Sequence, residues 1–336
     1  MKKRVTIKDV AAEAGVSRQT VSRAINNQGE ISPTTKERVL QTIEKLGYQP
    51  NRLAQGMVTQ RTKTVALLVS DIANPFFPEV ARGVQDCARE QGYNVFLCNA
   101  DGTAEEELET MQLLASQRVD GIISFASKIK EDDLQHFAQQ YHPIVIINRF
   151  IEHPHINLLL VDNALGAKQA TSHLVNNDHQ QIGMLTNESH SLSQMVRVQG
   201  FQNYLAKYQL PNHMIVQDKP TIDGGQTGLI RLLDRWPDIT AVFAYNDLMA
   251  IGALQACRSL GKRVPEDVAI IGFDDIHLAS VVTPTLSSIH VDKYTIGQMA
   301  MERIFAMLDK PDKSFETMQL MPKLVLREST KLVRDA

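Results

Sequence analysis

Residues 6–25 read TIKDVAAEAGVSRQTVSRAI, and two short helices joined by a tight turn are legible in them. Ile7, Val10, Ala11 and Ala14 recur at i, i+3, i+4 and i+7, the spacing of one helix face. Thr6 stands at a cap position with Asp9 three residues on, and Gly15 ends the run. After Gly15-Val16, Ser17 opens a second helix whose Val21, Ala24 and Ile25 form an apolar stripe, while Arg18, Gln19, Ser22 and Arg23 occupy the opposite face. A third helix is predicted from the cap-and-proline pair Ser32-Pro33, with Val39, Leu40, Ile43 and Leu46 inward and Gly47 as its stop. Three such helices close a small core. The second presents its N-terminal end outward, the end that a recognition helix inserts into the major groove. Plain solvation would also account for a polar face; the tight turn between two short helices favours the DNA reading.

Charge points the same way. Residues 1–63 hold 12 Lys and Arg against 5 Asp and Glu, whereas the whole chain of 336 residues has a net charge of −3, so a basic head is joined to an acidic body. The length suits about two domains of roughly 100 to 200 residues each. With 43% hydrophobic and 22% charged residues the composition is that of a globular protein, and no apolar run approaches the ~18 residues of a membrane span. The start MKKRVTIKDV lacks the apolar stretch of a secretory signal, so a cytoplasmic protein is expected, working at the nucleoid. Cys87, Cys98 and Cys257 are odd in number, far apart and without a CxxC pair, which argues for free thiols rather than disulfides or zinc.

From residue 64 onward, short apolar runs alternate with helix-length segments: TVALLVS, YNVFLC, VDGIISF, PIVIIN, QIGMLT, TAVFAY and VAIIGF. This βαβα alternation predicts parallel sheets covered by helices, and a change of segment near residue 160 suggests two lobes. Ligands of open α/β sheets gather beyond the carboxyl ends of the strands. The residues there are polar or aromatic: Asp71, Asn74, Phe76 and Phe77 after the first run, Arg149 after PIVIIN, Asn246 and Asp247 after TAVFAY, Asp274 and Asp275 after VAIIGF. Asp247 and Asp275 lie at strand-to-helix corners, where a helix cap or another structural role is the favoured reading, and Arg149 could equally form an ion pair between lobes.

The segment TIKDVAAEAGVSRQTVSRAIN, the following GYQPNRLAQGM, and the later DIANPFF, RVDGII, AYNDLMAIGAL and VPEDVAIIGFDD together resemble the lactose-repressor (LacI/GalR) family of bacterial transcription factors over essentially the whole chain. The resemblance implies an α/β protein: a small all-α helix-turn-helix head, residues 1–49, a hinge helix and linker, 50–62, and a two-lobed periplasmic-binding-protein type I body with parallel sheets, 63–336. Its lobe one would take about 63–160 and 292–320, its lobe two about 161–291 and 321–330. Carried over by position, Arg18, Gln19 and Ser22 read or line the groove and Arg23 reaches bases or phosphate. Arg suits guanine O6 and N7, Gln suits adenine N6 and N7, and the hydroxyls of Thr6, Ser17, Thr20 and Ser22 suit phosphates at helix starts. Asn51, Gln55 and Met57 fall in the hinge, with Met57 where relatives place a leucine wedge for the minor groove. In the body, the resemblance puts Arg197, Asn246 and Asp274 in hydrogen bonds to the effector and Phe76 in ring contact with it. Fork donor, acceptor, amide and aromatic face form a sugar-binding inventory.

The implied protein is a homodimeric DNA-binding regulator, a repressor, with double-stranded operator DNA and a small-molecule effector, a sugar or its derivative, as partners. Asp292, Lys293 and Tyr294 stand where relatives often carry an aromatic residue, a departure that would suit a charged or acidic ligand. Purines, sugar acids and a protein coregulator remain alternative signals. The chain ends at KLVRDA without a leucine-repeat helix, so dimers are expected rather than tetramers. No cofactor or metal is expected, and no enzyme: GxxxxGK[ST], GxSxG and HExxH are all missing, and His153 and His155 flank Pro154 in a loop without accompanying ligands. The rival reading is a sugar-binding protein for transport or chemoreception, which the basic head and missing signal peptide oppose.

Overall fold

A computed structural model describes residues 5–25, 31–48, 61–100, 102–125, 128–189, 191–311 and 313–330. Asn51, Gln55 and Met57, expected in a hinge helix, lie outside the described residues. The chain divides into two compact units, Met1–Thr62 and Lys63–Ala336.

The first unit holds α1 (Ile7–Ala14), α2 (Arg18–Ile25) and α3 (Pro33–Leu46). Each begins and ends where local chemistry directs. Thr6 N donates to Asp9 Oδ2 at 2.8 Å ahead of α1, Thr20 N donates to Ser17 Oγ at 3.1 Å ahead of α2, and Thr35 N donates to Ser32 Oγ at 3.2 Å ahead of α3. Gly15 and Gly47 close α1 and α3 with φ of 63° and 62°, a left-handed conformation that a side chain would resist. Val10, Ala11, Ala14, Val21, Ala24 and Val39 interlock as the buried core, with Ile43, Leu46 and Tyr48 packed on it. Leu40, expected inward, is 45% exposed: α3 meets the other helices along Val39, Thr42 and Ile43, and Leu40 falls off that stripe.

The second unit contains two six-stranded sheets. The first has the order β11-β5-β4-β3-β1-β2, built from β1 (Thr64–Val69), β2 (Asn94–Asn99), β3 (Gly121–Ser124), β4 (Ile144–Ile147), β5 (Ile156–Val161) and β11 (Met318–Leu320), all parallel. The second, β12-β10-β9-β8-β6-β7, takes β6 (Ile182–Asn187), β7 (Ile215–Asp218), β8 (Ala241–Ala244), β9 (Ala269–Asp274), β10 (Ser287–His290) and β12 (Lys323–Val325), with β12 alone antiparallel. Between strands run α4 (Phe76–Glu90), α5 (Ala104–Ser116), α6 (Glu131–Gln140), α7 (Asn163–Asn176), α8 (Leu192–Lys207), α9 (Ile222–Arg235), α10 (Asp247–Ser259) and α11 (Lys293–Asp309). Helices cover both faces, so β1, β3, β4, β6, β8 and β9 are buried at every position, which is why they read as unbroken apolar runs.

The chain passes from the first sheet to the second after β5, returns after β10 through α11, adds β11 to the first sheet, and ends with β12 in the second. Helix α11 lies tightly on α4: a Cβ on Gly83 would meet the Tyr294 carbonyl oxygen at 2.1 Å, and one on Gly297 would meet that of Val80 at 2.1 Å. Among the described residues the seven strand-like runs account for seven of the twelve strands. The others lack a decisive signature: β10 begins with two serines, β7 is a four-residue edge strand, and β11 and β12 have three residues each. Only β5, INLLLV, is apolar enough to have been recognised.

Candidate nucleic-acid interface and ligand cleft

On the head, Ser17, Arg18 and Gln19 are exposed at the start of α2, Thr20 is half-buried, and Ser22 and Arg23 follow one turn on with partial exposure. The hydroxyls of Ser17 and Thr20 lie 2.9 Å apart and share a hydrogen bond. Thr6 is committed to its cap, its hydroxyl donating to Asp9 Oδ2 at 2.7 Å. Arg18 and Gln19 thus project a guanidinium and an amide into solvent from a helix N-terminus whose dipole favours negative charge. The helix start that presents them is held by the Ser17 cap and by Val21 and Ala24 in the core.

In the body, the strongest constellation surrounds Arg197. This side chain, 5% exposed on α8, donates from Nε to Asn163 Oδ1 at 2.8 Å and from Nη1 to the Tyr245 carbonyl at 2.5 Å, with Nη2 3.5 Å from Asp274 Oδ1. Its guanidinium carbon stands 3.5 Å from the centroid of the Phe273 ring and 4.6 Å from that of Tyr245. A planar cation packed on two rings and beside a carboxylate, with a partner for each of its three nitrogens, is a rigid arrangement. Asp274 closes β9 with φ of 102° and Asp275 follows at 52°, two successive side-chain-bearing residues in left-handed backbone. Such strain persists only where surrounding bonds hold it.

Burial lifts the Asp274 carboxyl to about 6, against the opposing pull of Arg197 and Lys293. Asp247, fully buried, is raised well above the usual carboxylate range by burial and by Asp274, although Ser288 Oγ donates to it at 2.6 Å and Ile276 N at 2.7 Å. A carboxyl lifted in the folded state makes that state bind more protons than the unfolded chain between the unfolded value near 4 and pH 6. Stability therefore falls as pH rises through this window, by about 3 kcal/mol for Asp274. Urea unfolding of the wild type between pH 4 and pH 7 is expected to show that decline, and Asp274→Asn to flatten it; a decline unaltered by the substitution would contradict the assignment.

The remaining sequence candidates are distributed differently. Asn246 uses both ends of its amide on the fold: Oδ1 accepts from Met249 N at 2.9 Å as the cap of α10, and Nδ2 donates to the Pro220 carbonyl at 3.1 Å. Asp71 and Asn74 order the turn into α4, accepting from Ala73 N at 2.9 Å and Phe76 N at 3.0 Å. Phe76 and Phe77 meet Phe125 edge to face at centroid distances of 6.1 and 5.2 Å, an aromatic wall at the strand ends of the first sheet. Arg149 follows β4 of the first sheet. Burial holds its guanidinium below the usual arginine range against Glu107 and Glu131, and its Nη1 is buried without a hydrogen-bond partner.

Asp275 pairs with Arg327 Nη1 at 2.7 Å and His290 Nδ1 at 2.9 Å, a structural use like that of Asp247. Asp292 caps α11 by accepting from Thr295 N at 3.0 Å, and Tyr294 OH donates to Asp86 at 3.3 Å, so both serve the fold. Sequence reasoning missed Asn163, Tyr245 and Phe273, the residues that clamp Arg197. Asn163 follows β5, the strand it overlooked, and Tyr245 and Phe273 lay inside apolar runs that gave no hint of a cation between them. Among the described residues no cluster of His, Cys, Asp and Glu is disposed to hold a metal ion, and no helix is long and apolar enough to cross a membrane.

A head that presents a recognition helix, joined in one chain to a doubly wound body with polar groups at its strand ends, defines a DNA-binding regulator with a ligand-binding body. Residues 6–51 match the model for bacterial regulatory proteins of the lacI family, and residues 171–330 match a periplasmic binding protein-like domain. The chain is 34% identical to the HTH-type transcriptional repressor PurR of Mannheimia succiniciproducens, over 98% of this chain and 99% of that protein. Among solved structures it resembles the lac repressor dimer bound to operator and the anti-inducer ONPF, with a TM-score of 0.89 at 28% identity over 98% of this chain and 99% of that one. It also resembles a LacI family transcriptional regulator of Enterococcus faecium with bound ribose, with a TM-score of 0.74 at 29% identity over 81% of this chain and 100% of that one. The chain belongs to the lacI family of bacterial regulatory proteins. It is a transcriptional repressor of the helix-turn-helix type, and the relatives named here are regulators rather than enzymes.

Proposed function

We propose that the protein acts as a cytoplasmic homodimer whose affinity for operator DNA is set by a sugar-like effector bound at the strand ends of the body, with Arg197 and Asp274 as its principal hydrogen-bonding groups. The observation that carries this reading is the Arg197–Asp274 pair, 3.5 Å apart, both side chains buried and framed by Phe273 and Tyr245. A carboxylate beside a guanidinium receives and donates hydrogen bonds to vicinal hydroxyls, and aromatic faces cover the C–H surface of a pyranose or furanose ring. Bound ribose in the Enterococcus faecium structure supports the effector class. Arg18, Gln19 and Ser22, with Ser17, Thr20 and Arg23, are the proposed DNA contacts; Asp71, Asn74, Phe76, Phe77, Arg149 and Asn246 complete the proposed effector site.

Two features support the dimer. Operators read by such heads have paired half-sites, as the lac repressor dimer on its operator illustrates. Apolar side chains also stay exposed on the edge strand β2 and on α5 (Phe96, Leu97, Leu113) and near residue 280 (Leu278, Val281), surface that a second copy would cover. A sugar acid is the second reading, supported by the unpartnered Nη1 of Arg149.

Thermal shifts of the full chain against neutral sugars, sugar acids, sugar phosphates and nucleobases test the site. A compound at ~100 times its Kd adds about 2.7 kcal/mol, a shift of several degrees. The expected hit is a sugar whose shift vanishes in Asp274→Asn. A hit confined to nucleobases, or a sugar shift untouched by the substitution, overturns the reading.

A further inference from the structure

Lys293 is the least ordinary cation in the body. Only 2% of its side chain is exposed, and its ammonium donates to the carbonyls of Asp274 at 2.7 Å, Asp275 at 2.9 Å and Val291 at 3.2 Å. Three donors meet three acceptors, and Glu79 Oε2 of α4 lies 3.6 Å away. A buried ammonium is tolerated only when matched in this way.

Two of the three acceptors belong to Asp274 and Asp275, the pair held at φ of 102° and 52° in the second sheet's lobe. The donor is the first residue of α11, a helix fixed to α4 over the first sheet by the close approach at Gly83 and Gly297. A single side chain therefore joins the strained turn of one lobe to the helix pair of the other. We infer that Lys293 is a positioning residue for the effector response: its ammonium fixes where the Asp274 carboxylate stands relative to lobe one, so a ligand that engages Asp274 pulls on α11 and α4. The inference rests on the reading of Asp274 as an effector ligand. Lys293 itself has no donor left for a ligand and acts through the turn.

The charges around the turn come from five elements. Arg197 reaches Asp274 from α8, Asp247 from α10, Glu79 faces Lys293 from α4, His290 of β10 pairs with Asp275, and Arg327 pairs with Asp275 from beyond β12. Removing the ammonium leaves Asp274 with Arg197 as its cationic support, and ionisation of the carboxyl becomes harder.

Urea unfolding of the full chain from pH 5 to pH 8 tests this in wild type, Lys293→Met, Asp274→Asn and the double variant. The expected result is a loss of urea midpoint in Lys293→Met that grows with pH, with the inflection moved to higher pH. In the Asp274→Asn background most of that growth disappears. A loss that is equal at pH 5 and pH 8, and the same in both backgrounds, would mean that Lys293 only fills space, and the inference falls. Should Lys293→Met fail to fold, Lys293→Gln keeps an N–H donor without the charge and must show the same growth with pH. No ligand enters these measurements, so a blank effector panel and a failed Lys293 test are separate results.

Discussion

Replacing Arg197 with alanine is expected to cost the body about 3 to 5 kcal/mol at pH 7.5, because it strips the cation from a buried carboxylate. Three groups lose their partner together: Asp274 Oδ1, Asn163 Oδ1 and the Tyr245 carbonyl. The void between the Phe273 and Tyr245 rings adds a packing loss. The Asp274 carboxyl sits at about 6 with Arg197 present, so it is already mostly uncharged at pH 5.5, and losing Arg197 raises that value further. Denaturant unfolding at the two pH values should therefore show a smaller cost at pH 5.5 than at pH 7.5. Arg197→Lys retains a charge but not the fork, and is expected to recover part of the stability and little of the effector shift. Equal costs at both pH values would remove the Arg197–Asp274 pair from the centre of the site.

The second large effect belongs to the head. Arg18→Ala is expected to relax discrimination among operator variants by about 10- to 100-fold, corresponding to roughly 1–3 kcal/mol for a lost bidentate base contact. Binding to unrelated duplex DNA should change far less, because phosphate contacts carry that part of the affinity. Deleting residues 1–62 should abolish specific binding altogether and leave ligand shifts of the body in place. Titrations over a salt series add an independent check: log K should fall steeply with log salt for the full chain. A flat salt dependence, or an Arg18→Ala protein with unaltered preference, would exclude the basic head as the reader.

Much of the head could be read from residues 6–47, because capping, helix period and left-handed glycines are local rules, and each local preference agrees with the packed core. Leu40 departs from the reading because α3 rotates its apolar stripe toward Val39 and Thr42. The buried parallel strands were visible as apolar runs, while β10, β11 and β12 owe their pairing to tertiary neighbours rather than to their own residues. Of the Arg197 constellation, position after a strand end pointed to Asp274, and family resemblance pointed to Arg197. Neither revealed that Asn246 spends its amide on a cap and on the Pro220 carbonyl, or that Lys293 reaches back across the crossover, since both facts arise from contacts between segments distant in sequence. Asp247 and Asp275, read at strand-to-helix corners as structural, take buried hydrogen bonds and ion pairs there instead of capping helices.

Occupancy of the proposed effector site is expected to be coupled to operator binding by the head. Effector and operator bound to one protein in different preferred states must weaken one another equally, and in the same preferred state must strengthen one another equally, typically by ~1 to 3 kcal/mol. The most direct test selects genomic DNA fragments on the full chain to obtain the operator, then measures its Kd with and without a saturating concentration of the compound that gives the thermal shift. A change in operator Kd of about 5-fold or more, in either direction, that is absent in Asp274→Asn is the predicted result. An operator Kd unaltered by a compound that demonstrably fills the cleft would contradict it.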